Sequence, residues 1–447
     1  MQLPGKAGYI FEEHIPPEKQ GTYFTIPFTV EEHVELIYIS YTYERYRMDD
    51  DEQLGLIFHS REEVNIIDIG LIGPDGEQVG ASGSDKSEFF VSETDATPGY
   101  KPCRIVPGTW QILVGAYKVE PDGVEVSYRV GLIYKQPGWL KGDLHAHTLA
   151  SDGVHTAEEL AWKAKRSGLN FVAITDHNQM ISAVALPRVE GVTLIPGMEW
   201  THYQGHANFL GVDKPFDGCF ATNTLEEALS RFESARQRGA LITINHPFEE
   251  GCGFAYDLNT LPFDCLEIWN GPMRESNLKA LGLWQNLLVS GKKVPICGGS
   301  DYHRDTPFIF LGGPTTCVYA QSAGASDILD ALRNGHAYLV FAPNGPTLEM
   351  SAGDDAVMGD TVHWTEAKEL WLTVNNLLAG DVVRVVTATD AQVVWKAPTN
   401  GDFEMEYIMP APGFARVEVL RAFLPGLPLL PALLSNPIYF EGEKTVD

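Results

Sequence analysis

Gly142-Asp143-Leu144-His145-Ala146-His147-Thr148 places two histidines one residue apart at the end of a strand-like run. Side chains on a strand alternate with period two, so both imidazoles project to one side and can reach a single ion. Further along the chain stand Ser151-Asp152-Gly153, Thr175-Asp176-His177-Asn178 and Gly197-Met198-Glu199-Trp200. Gly205-His206-Ala207-Asn208, Asn245-His246-Pro247 and Ser300-Asp301-Tyr302-His303 follow. Imidazole and carboxylate without thiolate is the ligand chemistry of hydrolytic zinc, manganese or iron sites. Six histidines and three carboxylates exceed what one tetrahedral ion uses. The expected cofactor is therefore a group of divalent transition-metal ions (Zn, Mn or Fe), more than one, in a centre that activates water.

The runs carrying these groups are short and apolar: Phe171 to Thr175, Val192 to Ile195, Leu241 to Asn245, Leu266 to Trp269 and Val294 to Cys297. Helical stretches lie between several of them. Thr156 with Glu159, and Thr224 with Glu227, make capping boxes. The second opens a helix with Leu225, Ala228, Leu229, Phe232 and Ala235 on one face. Strand–helix alternation predicts a parallel α/β barrel or sheet, with the ligands at the C-terminal ends of its strands.

On either side the period changes. Residues 1–137 read as an N-terminal β-sandwich, from alternating runs such as Tyr23 to Val30, Ile66 to Ile72 and Val124 to Val130. Lys135-Gln136-Pro137-Gly138 reads as a linker, and residues 138–342 as the α/β domain. Residues 343–447 read as a smaller C-terminal β-sandwich, with candidate strands at Leu370 to Val374, Val382 to Val386 and Ala415 to Leu420. Asp49-Asp50-Asp51-Glu52 reads as a solvated acidic loop rather than a calcium site.

The chain has 447 residues, with 32 basic against 60 acidic side chains and a net charge of −28. That balance works against nucleic acid and anionic membranes as partners, since both need clustered Lys and Arg. A small anionic or ester substrate is expected instead. No run has the length of a membrane span or the form of a signal peptide. The six cysteines form no CxxC pair and read as thiols of a reducing compartment, so a cytoplasmic location is expected.

The motif order HxH, Ser-Asp-Gly, Thr-Asp-His, Gly-x-Glu, His, Asn-His-Pro and Asp-x-His resembles that of the PHP (polymerase and histidinol phosphatase) superfamily. Glu267-Ile268-Trp269-Asn270-Gly271, Gly299-Ser300-Asp301-Tyr302-His303 and a β-domain ending in Ser435-Asn436-Pro437-Ile438-Tyr439 make the layout similar to its CehA/McbA-type metallohydrolase branch. The resemblance covers just under half the chain. It implies a distorted seven-stranded β/α barrel and up to three metals. By that resemblance the first metal takes His145, His147, Glu199 and Asp301. Glu199 bridges to a second held by His206 and His246. The third takes Asp152, His177 and His303.

Other side chains carry two readings each. Asp143 and Asp176 can orient imidazoles or cap strand ends. His155 opens a helix and reads as surface. His202 follows Glu199 by three and is a candidate acid or substrate contact. Arg274 and Arg304 can receive a phosphate's paired oxygens, or pair at the surface with Glu275 and Asp305. Trp200, Tyr203, Trp269 and Tyr302 can wall a pocket or fill a core. Glu199, Asp301 and His303 are the candidate catalytic ligands. The expected activity is a metal-dependent phosphoesterase, in which metal-activated hydroxide attacks a small phosphomonoester or phosphodiester. A carboxylic or carbamate ester hydrolase on the same centre is the alternative. A non-catalytic glycan- or protein-binding module is a third possibility, chiefly for the flanking domains.

Overall fold

The computed structural model describes residues 8–53 and 56–442, with side chains for 8–47 and 62–442. The acidic run at 49–52 therefore lies outside the described side chains. The chain divides into two compact units, Met1–Gln136 and Pro137–Asp447. Strands account for 44% of it and helices for 13%, a mixed α/β composition dominated by strand.

The first unit contains β1 (Tyr9–Ile15), β2 (Thr22–Val30), β3 (Val34–Tyr43), β4 (Tyr46–Gln53), β5 (Leu56–Glu63), β6 (Ile66–Ile72), β7 (Gln78–Ser82), β8 (Glu88–Ser92), β9 (Gly108–Lys118) and β10 (Val124–Tyr134). Two four-stranded antiparallel sheets form, β1-β10-β3-β8 and β2-β9-β6-β7, and β4 pairs with β5. Period-two patterning places Trp110, Ile112 and Val114 of β9 on one face. They share a core with Ile37, Ile39, Val126 and Tyr128 of the other sheet.

In the second unit come β11 (Gly138–Ala146), α1 (Ala157–Arg166), β12 (Phe171–Ile174), β13 (Thr193–His202), β14 (Gly205–Leu210), α2 (Leu225–Gln237), β15 (Leu241–Ile244), β16 (Cys265–Asn270), α3 (Glu275–Val289), β17 (Ile296–Gly299), β18 (Thr315–Ala320), α4 (Ala325–Arg333) and β19 (Ala337–Val340). Strands β11 to β17 lie side by side in chain order. Every position of β12 and β15 is buried, as strands covered on both faces must be. Both capping boxes form, with Thr156 accepting from the Glu159 N–H and Thr224 from the Glu227 N–H. Ala228, Phe232 and Ala235 are buried as the helical face predicts, whereas Leu225 is exposed.

Regular β/α alternation is not what the chain does. β13 and β14 make an antiparallel hairpin, turned at Tyr203-Gln204 and completed by Gly205 at φ 127°. Between β12 and β13 the only helical element among the described residues is a short 3-10 turn. Seven strands are present, but β14 runs against both neighbours.

The chain beyond β17 returns to β11. The Tyr302 N–H donates to His145 O at 3.2 Å and the His147 N–H to Tyr302 O at 2.8 Å. The approach is close: a Cβ on Gly299 would stand 2.4 Å from the His145 Cβ. Only glycine fits there without displacing that histidine.

The remaining strands are β20 (Thr347–Ala352), β21 (Ala356–Val357), β22 (Thr361–His363), β23 (Glu369–Leu377), β24 (Val382–Val386), β25 (Ala391–Lys396), β26 (Gly401–Ile408), β27 (Gly413–Arg421), β28 (Leu430–Ser435) and β29 (Ile438–Glu441). They do not separate at residue 342 as the sequence suggests. β28 pairs with β19 through Tyr338–Ser435 and Val340–Leu433, so the sheet continues into β27, β24 and β25. Asn436 reinforces the join, accepting the Ile296 N–H at 3.0 Å and donating to Ala337 O at 2.9 Å.

Candidate metal centre

The strand ends bring all nine expected ligands into one cluster. His145 and His147 close β11, Glu199 lies in β13 and His206 in β14. His177 follows β12, His246 follows β15, and Asp301 and His303 follow β17. His145 Nε2 lies 3.2 Å from Glu199 Oε1 and 3.5 Å from Asp301 Oδ1. His147 Nε2 lies 3.1 Å from the same Asp301 oxygen and 3.7 Å from Glu199 Oε2. A second group forms on Glu199 Oε1, with His206 Nδ1 at 3.1 Å and His246 Nε2 at 3.3 Å. Asp152 centres a third, with His303 Nε2 at 3.2 Å and His177 Nε2 at 3.6 Å. His147 Nδ1 stands 3.9 Å from Asp152, so this ring faces two groups.

Several of these atoms are buried without a hydrogen-bond partner: His145 Nε2, both ring nitrogens of His147, and Asp301 Oδ1. Leaving such groups unpaired costs about 1–3 kcal/mol each. Four tetrahedral ligands at about 2.1 Å from zinc would stand roughly 3.4 Å apart. The separations here bracket that value, and the donor set is nitrogen and oxygen. The residues fit divalent ions, and among the described residues four sets could hold one: His145–His147–Glu199, His145–His246–Asp301, His147–Asp152–His177–His303 and His206–His246–Cys252.

Charge is balanced within the cluster. Burial works against ionised Glu199, but His145, His177 and His206 hold its carboxyl well below the usual carboxylate range. Burial also opposes charge on His145, yet Asp301, Glu267 and Glu199 raise its pKa well above an ordinary imidazole. His147 is pushed down by burial. The backbone is strained at the same place: Asn178, His246 and Asp301 have φ of 52°, 25° and 52°. Non-glycine residues rarely adopt such values, and they concentrate at functional sites.

Some expected residues lie elsewhere or act otherwise. His202 stacks on Trp200, donates from Nε2 to Thr222 O at 3.0 Å and accepts the Gln204 N–H at Nδ1. Both its nitrogens are engaged away from the ligands. Arg274 pairs with Glu249 at 2.9 Å, not with Glu275, which binds Lys279 instead. Arg274 also donates to Asn270 at 3.1 Å, and Asn270 reaches Asp301 at 3.3 Å. Arg304 is exposed, with no hydrogen bond or ion pair among the described residues. Asp305 pairs with Lys163 at 2.6 Å. Trp200, Trp269 and Tyr302 are buried in the core, while Tyr203 is fully exposed. His155 meets the Tyr302 hydroxyl at 3.0 Å.

Asp143 and Asp176 cap backbone rather than orient imidazoles. Asp143 accepts the N–H groups of His145, Ser300 and Gly312, and the Ser300 hydroxyl. Asp176 accepts from Thr148 and Ser151, fixing the turn that carries Asp152.

Four supporting residues escaped the sequence reading. Asn245 donates to Glu199 Oε1 at 2.9 Å, and Thr201 meets His177 Nδ1 at 2.6 Å. Cys252 Sγ lies 3.9 Å from His246 Nδ1. Glu267 faces His145 Nδ1 at 3.0 Å. Asn245 and Glu267 lie in runs already conspicuous beside the ligands, which was the available signal. Thr201 and Cys252 carry none.

The PHP domain family model matches residues 143–245. The chain is 34% identical over 111 residues to the 5′-3′ exoribonuclease Rnm of Salmonella typhimurium, covering 22% of this chain and 36% of that protein. It is 31% identical over 105 residues to a 3′,5′-nucleoside bisphosphate phosphatase of Chromobacterium violaceum, again covering 22% and 36%. It thus spans about a third of the length of each of these relatives. Among solved structures, a two-domain protein from Bacteroides vulgatus, described as containing a predicted PHP-like metal-dependent phosphoesterase, is 16% identical. That match covers 63% of this chain and 90% of the other, at a TM-score of 0.38.

Proposed function

We propose that this protein is a metal-dependent phosphoesterase acting on a small phosphomonoester or phosphodiester. The observation carrying the reading is the convergence of partnerless His145 Nε2, His147 Nε2 and Asp301 Oδ1 beside Glu199. His145, His147, Glu199 and Asp301 would hold one ion, Glu199 with His206 and His246 a second, and Asp152, His177 and His303 a third. When bound, the ions supply the positive charge that acidifies a water and steadies phosphoryl oxygens.

The chain's own residues set the geometry of that charge. Glu199 spans two groups and is held by Asn245. His147 turns one nitrogen to Asp301 and the other toward Asp152. Arg274 is neutralised by Glu249 and acts one amide away from Asp301, which leaves Arg304 as the freer cation near His303. A net charge of −28 favours a small anion over a long nucleic-acid strand. The named activities of the two relatives concern phosphate esters, which supports phosphate over carboxylic ester. The motif order around Gly299-Ser300-Asp301-Tyr302-His303 supports the CehA/McbA-type branch.

The test is a substrate panel with zinc, manganese or iron supplied: p-nitrophenyl phosphate, bis-p-nitrophenyl phosphate, and p-nitrophenyl and naphthyl carboxylic esters. Turnover of a phosphate ester, lost on chelation, is expected. Turnover confined to carboxylic esters would replace this reading with the ester hydrolase.

A further inference from the structure

Glu267 lies on β16 with only 2% of its surface exposed, far in sequence from His145. Its two carboxylate oxygens divide their partners. Oε1 stands 3.0 Å from His145 Nδ1. Oε2 accepts the His246 backbone N–H at 2.9 Å and the Asn270 side-chain amide at 3.2 Å. That Asn270 amide also reaches Asp301 Oδ2 at 3.3 Å. One side chain thus touches or nearly touches ligands that follow from β11, β15 and β17.

An ionised carboxylate only accepts, so the proton on this side of the His145 ring belongs on Nδ1. Nε2 is then the atom whose lone pair is available. It is also the atom buried without a hydrogen-bond partner, aimed at Glu199 and Asp301. The contact to the His246 N–H fixes a residue whose φ of 25° few non-glycine residues hold unaided.

We infer that Glu267 is a positioning residue for the metal centre. It selects the His145 tautomer that presents Nε2, and it fixes the His246 backbone and, through Asn270, the Asp301 carboxylate. A carboxylate behind a metal-binding imidazole also strengthens the imidazole as a donor. The inference rests on the metal reading given under Proposed function, and it adds a role for a residue outside the nine ligands.

Its test needs no substrate. Zinc or cobalt(II) is titrated, against a competing chelator, into the full chain as wild type, E267Q, H145A and the E267Q/H145A double variant. Circular dichroism follows the fold. Nitrogen-15 histidine spectra report the protonated nitrogen of His145, assigned by its loss in H145A. E267Q is expected to bind the His145-held ion about 10–100-fold more weakly. In the H145A background the same change should cost less than in wild type, because the share acting through His145 is gone while the contacts to the His246 N–H and Asn270 remain. In the zinc-loaded protein wild type should show a protonated Nδ1, and E267Q a mixture or the other tautomer.

Metal affinity of E267Q within about twofold of wild type, or an equal loss in the H145A background, would overturn the inference. Should E267Q fail to fold, E267D keeps the charge with a shorter reach. It is expected to lose affinity as well, and wild-type affinity in E267D would count against the role. Wild-type protein binding no metal would remove the centre itself and this role with it. Metal binding without phosphate-ester turnover would sink only the proposed activity.

Discussion

His177 and Glu199 face each other across a parallel bridge, with His177 Nδ1 2.8 Å from Glu199 Oε2. The opposite nitrogen of the same ring looks toward Asp152 at 3.6 Å. His177 therefore joins the Asp152 group to the carboxylate shared by the other two. Three sets of candidate ligands are thus connected, and each should be separable by substitution.

Wild-type protein is expected to carry more than one transition-metal ion per chain, and His177→Ala about one fewer. Elemental analysis of the two proteins side by side measures both. An ion count unchanged by the substitution would reduce His177 to a support for Glu199. Turnover would then fall by only about 10–100-fold.

Glu199→Gln should abolish hydrolysis, a loss exceeding the roughly 100-fold typical of residues that only support a ligand. Its carboxylate meets His145, His177, His206 and His246, and no other side chain in the cluster meets as many of the histidines. The strands around it are held by their own ladders, so the far-ultraviolet dichroism should stay as in wild type. Near-normal turnover at full metal content would show that the bridge is unnecessary.

The candidate ligands stood out in the sequence because most lie near a strand end or a turn, and His145-Ala146-His147 has strand spacing. Their supports were not, since they come from distant strands: Glu267 meets His145 across 122 residues and Asn245 meets Glu199 across 46. Arg274 shows the same limit. Glu275 adjoins it, but the helix directs Glu275 to Lys279 one turn on, leaving Arg274 to Glu249. The β13–β14 hairpin was concealed because the strand was read only over Val192 to Ile195, with Glu199 beyond its end. Thr193–His202 is one ten-residue strand. The join at β19–β28 depends on pairing across nearly a hundred residues, which no local pattern records.

Metal should stabilise the protein more at alkaline than at acid pH. In the metal-free protein burial opposes charge on His145 and His246, but carboxylates raise both pKa values well above the ordinary one, helped at His246 by Cys252. Their contribution to stability is complete below about pH 6.5 and is lost as pH rises through the raised values. Glu199 has the opposite sign. Its lowered pKa contributes stability above about pH 4.3 that is lost as pH falls through the lowered value. Metal needs the neutral imidazoles and displaces their protons. The midpoint of thermal unfolding without metal should therefore drop from about pH 7 to pH 9. Added zinc should raise it more at about pH 8.5 than at pH 6. Calorimetric scans giving equal gains at both would contradict this.

The two arginines should separate. Arg304 is exposed and unpaired, so Arg304→Ala should change stability by less than about 0.5 kcal/mol. Its effect should fall more heavily on phosphate esters than on neutral ones. Arg274→Ala removes a partner of both Glu249 and Asn270, costing about 0.5–1 kcal/mol and slowing both substrate types alike. Kinetics on both substrate types, with urea unfolding of each variant, would check this. Equal losses for Arg304→Ala on both substrates would argue against phosphate contact.

β19 has a neighbour on each side only because β28 lies along it, from Tyr338–Ser435 to Val340–Leu433. A fragment ending at residue 342 would expose a row of unpaired N–H and C=O groups along β19, the kind of edge on which chains stack and aggregate. It would also lose Asn436 from the Ile296 amide, just ahead of the residues leading to Asp301. The strands that carry the candidate ligands and the last hundred residues thus share one continuous sheet. In any exchange of parts between genes, a seam that leaves every one of these sheets whole falls at 136–137.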